Sequence, residues 1–221
     1  MKHLTITIDG PAGSGKSTVA REVARTLGFT FLDTGALYRA AAVAIERAGS
    51  DVGDNEECGR VISHTRILLT GGSIEVDGTD VTEEIRSPRI SELSSAIAVH
   101  PSVRSELVRI QRSFRGLSSL VAEGRDTGSV VFPDADIKIY LNASATERAM
   151  RRQKELLTKG TDLPLERVLN DMNRRDNRDS SRSASPLVIP EHAVVVDTTH
   201  LTFHEVVAKI LSIVEEKSAD K

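Results

Sequence analysis

A lysine preceded by glycine and followed by two hydroxyls is a pattern that handles phosphate. Residues 10–18 read GPAGSGKST, which puts Gly10, Gly15, Lys16 and Ser17 at the fixed positions of G-x-x-x-x-G-K-[ST]. Glycines there let successive backbone N–H groups converge on one concavity, and polyphosphate is the ligand that suits it. A helix beginning at the lysine adds its unbonded N–H groups and the positive end of its dipole. Lys16 is then placed to reach the β- and γ-phosphates, and the Ser17 hydroxyl to ligate Mg²⁺. The expected ATP-binding stretch is Gly10, Pro11, Ala12, Gly13, Ser14, Gly15, Lys16, Ser17 and Thr18.

Further segments carry arginines beside acids and hydroxyls. DTGALYR holds Asp33, Thr34 and Arg39; EGRDTGSVVFPDA holds Arg125 and Asp126; RRDNRDSSRSASP holds Arg175, Arg178, Asp179 and Arg182. Arginines at the carboxyl ends of parallel strands suit a second phosphate and a transferring phosphoryl group. Each well-formed guanidinium–phosphate contact contributes about 1.5–3 kcal/mol. The Asn-Lys-x-Asp element with which GTPases read their base is absent. Glu123 and Asp33 are candidate outer-shell partners of Mg²⁺. The histidines form no metal pattern: His200 and His204 are four apart but lack further ligands.

The elements that must position these groups alternate along the chain. His3 to Asp9 is an alternating, β-branched run that predicts a strand. Val19, Ala20, Val23, Ala24 and Leu27 form a helical stripe stopped at Gly28. Strands are expected at 29–33, 118–123, 136–143 and 193–199. Helices are expected over 35–49, from a Ser144 cap to Gly160, over 164–179 from Pro164, and after a Thr202/Glu205 capping box. This is an α/β pattern with a five-stranded parallel sheet flanked by helices. Residues 65–81 break the rhythm with two strand-like runs joined by Gly71-Gly72, which predicts a small antiparallel insert. The RRDNRDSSRSASP segment has little apolar anchoring and is expected to be mobile.

Composition narrows the class. The 221 residues are 39% hydrophobic and 28% charged, with a net charge of −3, which argues against bulk nucleic-acid binding. No apolar run approaches the ~20 residues of a membrane span. The sequence enters a strand at once, so no signal peptide is expected. Cys58 alone forms no internal disulfide, which suits a reduced cytoplasmic setting, and it reads as a small structural residue.

The motifs IDGPAGSGKST, LDTGALYRA, EIRSPRIS, HPSVR, GRDTGSVVFPDA, RDNRDSSRSASPL and VVVDTT follow one another over nearly the whole chain. In kind and order they resemble those of bacterial cytidylate kinases, a branch of the nucleoside monophosphate kinase family. The resemblance implies a single P-loop kinase domain over 1–221. Its monophosphate-binding region and insert would occupy about 36–105, and its mobile lid about 160–186. It implies ATP-dependent phosphorylation of CMP and dCMP to CDP and dCDP, with Mg²⁺ as cofactor. Carried over by position, Thr34 and Arg39 would lie near the CMP phosphate. Ser95, Arg104 and Asp126 would read cytosine, and Asp179 would hold the ribose. Arg125, Arg175 and Arg182 would serve the phosphates and, with Lys16, form the catalytic set. Arg86 in the EIR motif has no assigned role. Thr127 and Ser129 depart from the family pattern, which more usually has an apolar residue and a threonine there. The implied partners are ATP and CMP or dCMP, without nucleic acid polymer or membrane, and the implied state is a monomer.

The residues alone fit these roles. A carboxylate such as Asp126 accepts from the cytosine amine, while Arg104 and the Ser95 hydroxyl donate to its ring acceptors. Asp126 as a loop cap, and Arg104 as one charge on a solvated helix face, stay open as structural explanations. So do a P-loop kinase acting on UMP, AMP or shikimate, and a nucleotide sensor that binds ATP without turnover.

Overall fold

The computed structural model describes residues 3–70, 72–158, 160–181 and 185–219. In chain order the elements are β1 (Thr5–Asp9), α1 (Lys16–Leu27), β2 (Thr30–Asp33), α2 (Thr34–Arg47) and α3 (Asn55–His64). Then come β3 (Ile67–Thr70), β4 (Ser73–Val76), β5 (Thr79–Asp80), α4 (Pro88–Ile97) and α5 (Pro101–Arg112). The chain closes with β6 (Leu120–Gly124), β7 (Ile137–Asn142), α6 (Ala145–Thr158), α7 (Leu165–Ser181), β8 (Val194–Asp197) and α8 (Phe203–Ala219). The contacts divide it into two compact units, Met1–Leu32 with Arg115–Lys221, and Asp33–Phe114.

The first unit is built on a five-stranded sheet in the order β2-β6-β1-β7-β8. β1 runs parallel to both β6 and β7, and β7 parallel to β8. Every residue of β1 and of β6 is buried. The alternation in β1 therefore does not mark a water-facing side; Thr5, Thr7 and Asp9 are as buried as Ile6 and Ile8. A central parallel strand is covered on both faces, and its polar side chains must find partners inside. Val19, Ala20, Val23 and Ala24 of α1 join Ile6, Ile8, Ile139 and Leu141 in the main core, together with Val206, Val207 and Ile210 of α8. Gly28 ends α1 with φ +68°, and the N–H groups of Gly28 and Phe29 donate to the carbonyls of Arg25 and Ala24. That is a Schellman stop, in which the left-handed residue favours glycine. The Thr202–Glu205 capping box forms as expected at the start of α8.

The helix expected over 164–179 forms as α7 and runs on to Ser181, so residues 174–181 of the polar RRDNRDSSRSASP segment are its last turns. The inward stripe that begins with Val168 and Met172 continues with Asp176 and Asp179, each paired to an arginine. Ion pairing there replaces the apolar anchoring that the sequence lacks. A smaller core of Ala149, Val168 and Met172 joins α6 to α7 and packs against Ala12.

In the second unit, α2 is buried along most of its length, from Ala36 and Leu37 through Ala40 to Ile45. Its alanines allow the neighbouring elements close approach. The insert is a three-stranded antiparallel sheet, β3-β4-β5, rather than a single hairpin. Its second turn is Asp77-Gly78, with φ of 50° and 78°. This is the positive-φ pair that a two-residue hairpin needs, and the Asp-Gly dipeptide is its sequence signal. Gly71 of the expected turn lies outside the described residues. Cys58 is fully buried with its thiol against the Asp51 carbonyl, a structural setting in which burial pushes its pKa up.

Candidate active site

The phosphate loop leaves the carboxyl end of β1, the middle strand of the sheet, and runs directly into α1. Gly10 is required by close approach: a Cβ there would lie 2.2 Å from the Leu141 carbonyl oxygen. Gly15 precedes the helix with φ +85°, a conformation costly for other residues. Lys16 is buried, and its Nζ donates to the Pro11 carbonyl at 3.1 Å, inside the curl of its own loop. Burial, and then the Arg125 charge, push its pKa down to about 7, with Arg175 adding to the effect and Glu123 opposing it. Lys16, Arg125 and Arg175 therefore bear on one another, with Glu123 and Asp179 offsetting part of their charge, a cationic cluster suited to a polyanion.

Beside it the Ser17 hydroxyl donates to Glu123 Oε1 at 2.7 Å, and Glu123 is buried near the end of β6. A hydroxyl and a carboxylate are hard oxygen donors of the kind Mg²⁺ takes together with phosphate oxygens and water. Among the described residues no group of three or more His, Cys, Asp or Glu could hold a metal by itself. Arg125 and Asp126 follow β6 directly. Arg125 Nε donates to Asp179 Oδ2 at 2.9 Å, tying the β6 loop to α7. Asp126 is buried at the head of a π-turn, Thr127–Val131. Its backbone carbonyl accepts from the N–H groups of Val130 and Val131. Arg182 lies outside the described residues.

The sequence reading missed a clamp on the loop. Asp176 of α7 accepts the Ala12 N–H at 3.2 Å, and Arg148 of α6 donates to the Ala12 carbonyl at 2.9 Å. Arg148 also pairs with Asp176 and donates to the Ala143 carbonyl at 3.1 Å. Both backbone groups of one P-loop residue are thus held by a buried ion pair from the two helices. Arg151 is held in turn by Glu147 and by Thr198 of the loop after β8. No local signal marks these residues, since an arginine on a charged amphipathic helix usually faces water.

The second unit carries the other expected residues. Asp33 caps α2: its Oδ1 accepts from Ala36 N–H at 2.8 Å, and its Oδ2 lies 3.5 Å from Arg39. Its carboxylate is thereby engaged in a cap, a role the sequence reading did not give it. Thr34 is buried in the first turn of α2. Arg104 is only 5% exposed, its guanidinium 5.6 Å from the Tyr38 ring centroid and 3.3 Å from the Ala98 carbonyl. Arg104 is therefore not a charge on a solvated helix face. Ser95 is half-buried on α4. Arg86 is exposed, with its Nε on the Thr82 carbonyl.

A phosphate loop with a buried lysine and neighbouring arginines, set on a parallel sheet, is the arrangement of a P-loop kinase. The family model for cytidylate kinase matches residues 6–216. The cytidylate kinase of Caldanaerobacter subterraneus subsp. tengcongensis is 46% identical over 213 residues, 96% of this chain and 95% of that one. That of Polynucleobacter necessarius subsp. necessarius is 48% identical over 206 residues, 93% of this chain and 96% of that one. The chain belongs to the cytidylate kinase family. Among solved structures, an uncharacterized protein from Eubacterium ventriosum has a TM-score of 0.51 at 11% identity. It covers 96% of this chain and 99% of its own, a likeness of fold.

Proposed function

We propose that this chain transfers the γ-phosphoryl group of ATP to CMP and dCMP, giving ADP with CDP or dCDP. The observation that carries this is the buried Lys16 in a shared field with Arg125 and Arg175, in a chain that belongs to the cytidylate kinase family. Phosphoryl transfer asks for positioning and charge neutralisation more than for proton chemistry, so no general base is assigned. Lys16, Arg125, Arg175 and Arg182 stabilise the spreading negative charge. Residues 10–18 bind ATP, and Ser17, with Glu123 behind it, would hold Mg²⁺. When bound, Mg²⁺ neutralises phosphate oxygens and fixes their orientation.

For the acceptor, Thr34 and Arg39 serve the CMP phosphate, and Ser95, Arg104 and Asp126 read cytosine. Asp179 holds the ribose. Residues 160–186 act as a lid, whose described helical part carries Arg175 and Asp179. The substrates are small molecules, the working state is a monomer in the cytoplasm, and neither nucleic acid polymer nor membrane takes part. No helix among the described residues is long and apolar enough to cross a membrane.

A coupled ADP-release assay with CMP, dCMP, UMP and AMP tests this reading. CMP and dCMP turn over well and UMP poorly, because the Asp126 carboxylate accepts from an amine but repels a carbonyl. Asp126→Ala reduces the CMP-over-UMP preference by about 10–10³-fold, the scale of one unmet buried polar contact. ATP binding without turnover of any acceptor would favour a sensor. An unchanged preference in Asp126→Ala would leave that residue without a base-reading role.

A further inference from the structure

Asp9 is the last residue of β1 and is fully buried. Its carboxylate accepts three hydrogen bonds, all from the two residues that follow Asp126. The Thr127 N–H and hydroxyl reach Oδ1 at 2.8 and 2.6 Å, and the Gly128 N–H reaches Oδ2 at 2.7 Å. Gly128 has no room for a side chain, since a Cβ would lie 2.7 Å from Thr7 Oγ1 and 3.2 Å from Asp9 Oδ2.

The sheet register explains why these bonds matter. β1 and β6 stay paired up to Asp9 opposite Gly124, and the ladder stops there. Arg125 and Asp126 lie beyond it. Beyond the ladder this loop is tied to β1 by the Asp9 carboxylate, on the residue next to Gly10 of the phosphate loop. One side chain thus connects the root of the phosphate loop with the loop that carries Asp126. A carboxylate accepting three donors within 2.6–2.8 Å defines the direction of that backbone far more closely than apolar packing could.

We propose that Asp9, together with the Thr127 hydroxyl, is a positioning device that holds Asp126 in register with the phosphate loop for base selection. This rests on the proposed role of Asp126 in reading cytosine. The Thr127 hydroxyl is the separable part of the device. The two N–H bonds survive any side chain at 127, whereas the 2.6 Å bond needs a hydroxyl, which an apolar residue at this position cannot supply.

The test compares Thr127→Val, which keeps shape and removes the hydroxyl, with Thr127→Ser, which keeps the hydroxyl. Steady-state kinetics are run with CMP and UMP as acceptors and, separately, with ATP varied. In Thr127→Val the KM for CMP rises and the CMP-over-UMP ratio of kcat/KM falls, each by about tenfold, as expected for a misplaced positioning group. The KM for ATP stays within about twofold, because the phosphate loop keeps its own bonds. Thr127→Ser restores the ratio. Asp9→Asn, which turns an amide toward the Gly128 N–H, lowers the ratio further. The inference is overturned if Val and Ser give the same ratio. It is also overturned if Val reduces CMP and UMP use equally alongside a lower Tm, or if a folded Asp9→Asn keeps the wild-type ratio. Asp126→Ala run in parallel separates the two ideas. If that variant loses base preference while the Thr127 pair does not differ, only the positioning role fails. If Asp126→Ala keeps its preference, base reading fails and the positioning role falls with it.

Discussion

The two units of this molecule differ in how much charge they bury. The sheet unit buries it: Asp9, Lys16, Glu123, Asp126, Arg148 and Asp179 are all less than a tenth exposed. Beside surface pairs such as Arg25 with Glu22 and Arg174 with Asp171, it holds two interior ones, Arg125 with Asp179 and Arg148 with Asp176. The unit from Asp33 to Phe114 keeps most of its pairs at the surface, such as Arg47 with Glu84 and Arg89 with Glu46, both at 2.6 Å. Its core is apolar and rich in alanine, and Arg104 is the charged exception. Buried charges are costly to fold around, because desolvation opposes them. They are also where a fixed field acts most strongly on a charged transition state, since no water has to reorganise. The contrast places the preorganised electrostatics in the unit that carries the phosphate loop.

Lys16 is where that contrast breaks most sharply. Lys16→Met lowers kcat by about 10²–10³ or more, the scale of removing one preorganised stabilising group. The same substitution stabilises the fold at neutral pH by roughly 1–2 kcal/mol, as removal of a strained functional group commonly does. The sign follows from linkage. Folded Lys16 titrates near 7 and the unfolded residue near its ordinary 10.5, so between these values the unfolded chain binds the additional proton. The penalty is full below pH 7 and fades as pH rises toward 10.5. Melting curves of both proteins at neutral and alkaline pH therefore show the variant's advantage shrinking with pH. A less stable Met variant at pH 7 would mean that the buried cation is compensated by its neighbours.

Asp176→Ala is the next largest effect. It takes the acceptor from the Ala12 N–H and leaves the Arg148 guanidinium buried beside it. Breaking a buried pair from one side costs about 3–5 kcal/mol, read from denaturant midpoints. The KM for ATP also rises, because residue 12 of the phosphate loop loses its clamp. An unaltered KM for ATP would reduce the clamp to a purely stabilising contact. Arg89→Ala is the smallest change, below about 1 kcal/mol, since its partner Glu46 meets it at the surface. Its kcat/KM values stay at wild type, and a cost equal to that of Asp176→Ala would erase the difference between the units.

What the sequence determined by itself was the part written in contiguous residues. GPAGSGKST, the helical stripe after it, the Gly28 stop and the Thr202–Glu205 cap are local, because turn geometry, propensity and capping act within a few residues. The alternation of strands and helices was legible for the same reason. Three-dimensional packing decided the rest. Asp9 finds Thr127 across 118 residues, Arg148 finds the Ala12 carbonyl across 136, and the Ala12 N–H finds Asp176 across 164. It also paired Asp176 and Asp179 of α7 with Arg148 and Arg125, and turned Arg104 inward against Tyr38. Whether a charged side chain faces water or a partner depends on what the folded chain brings opposite it, and local spacing holds no record of that.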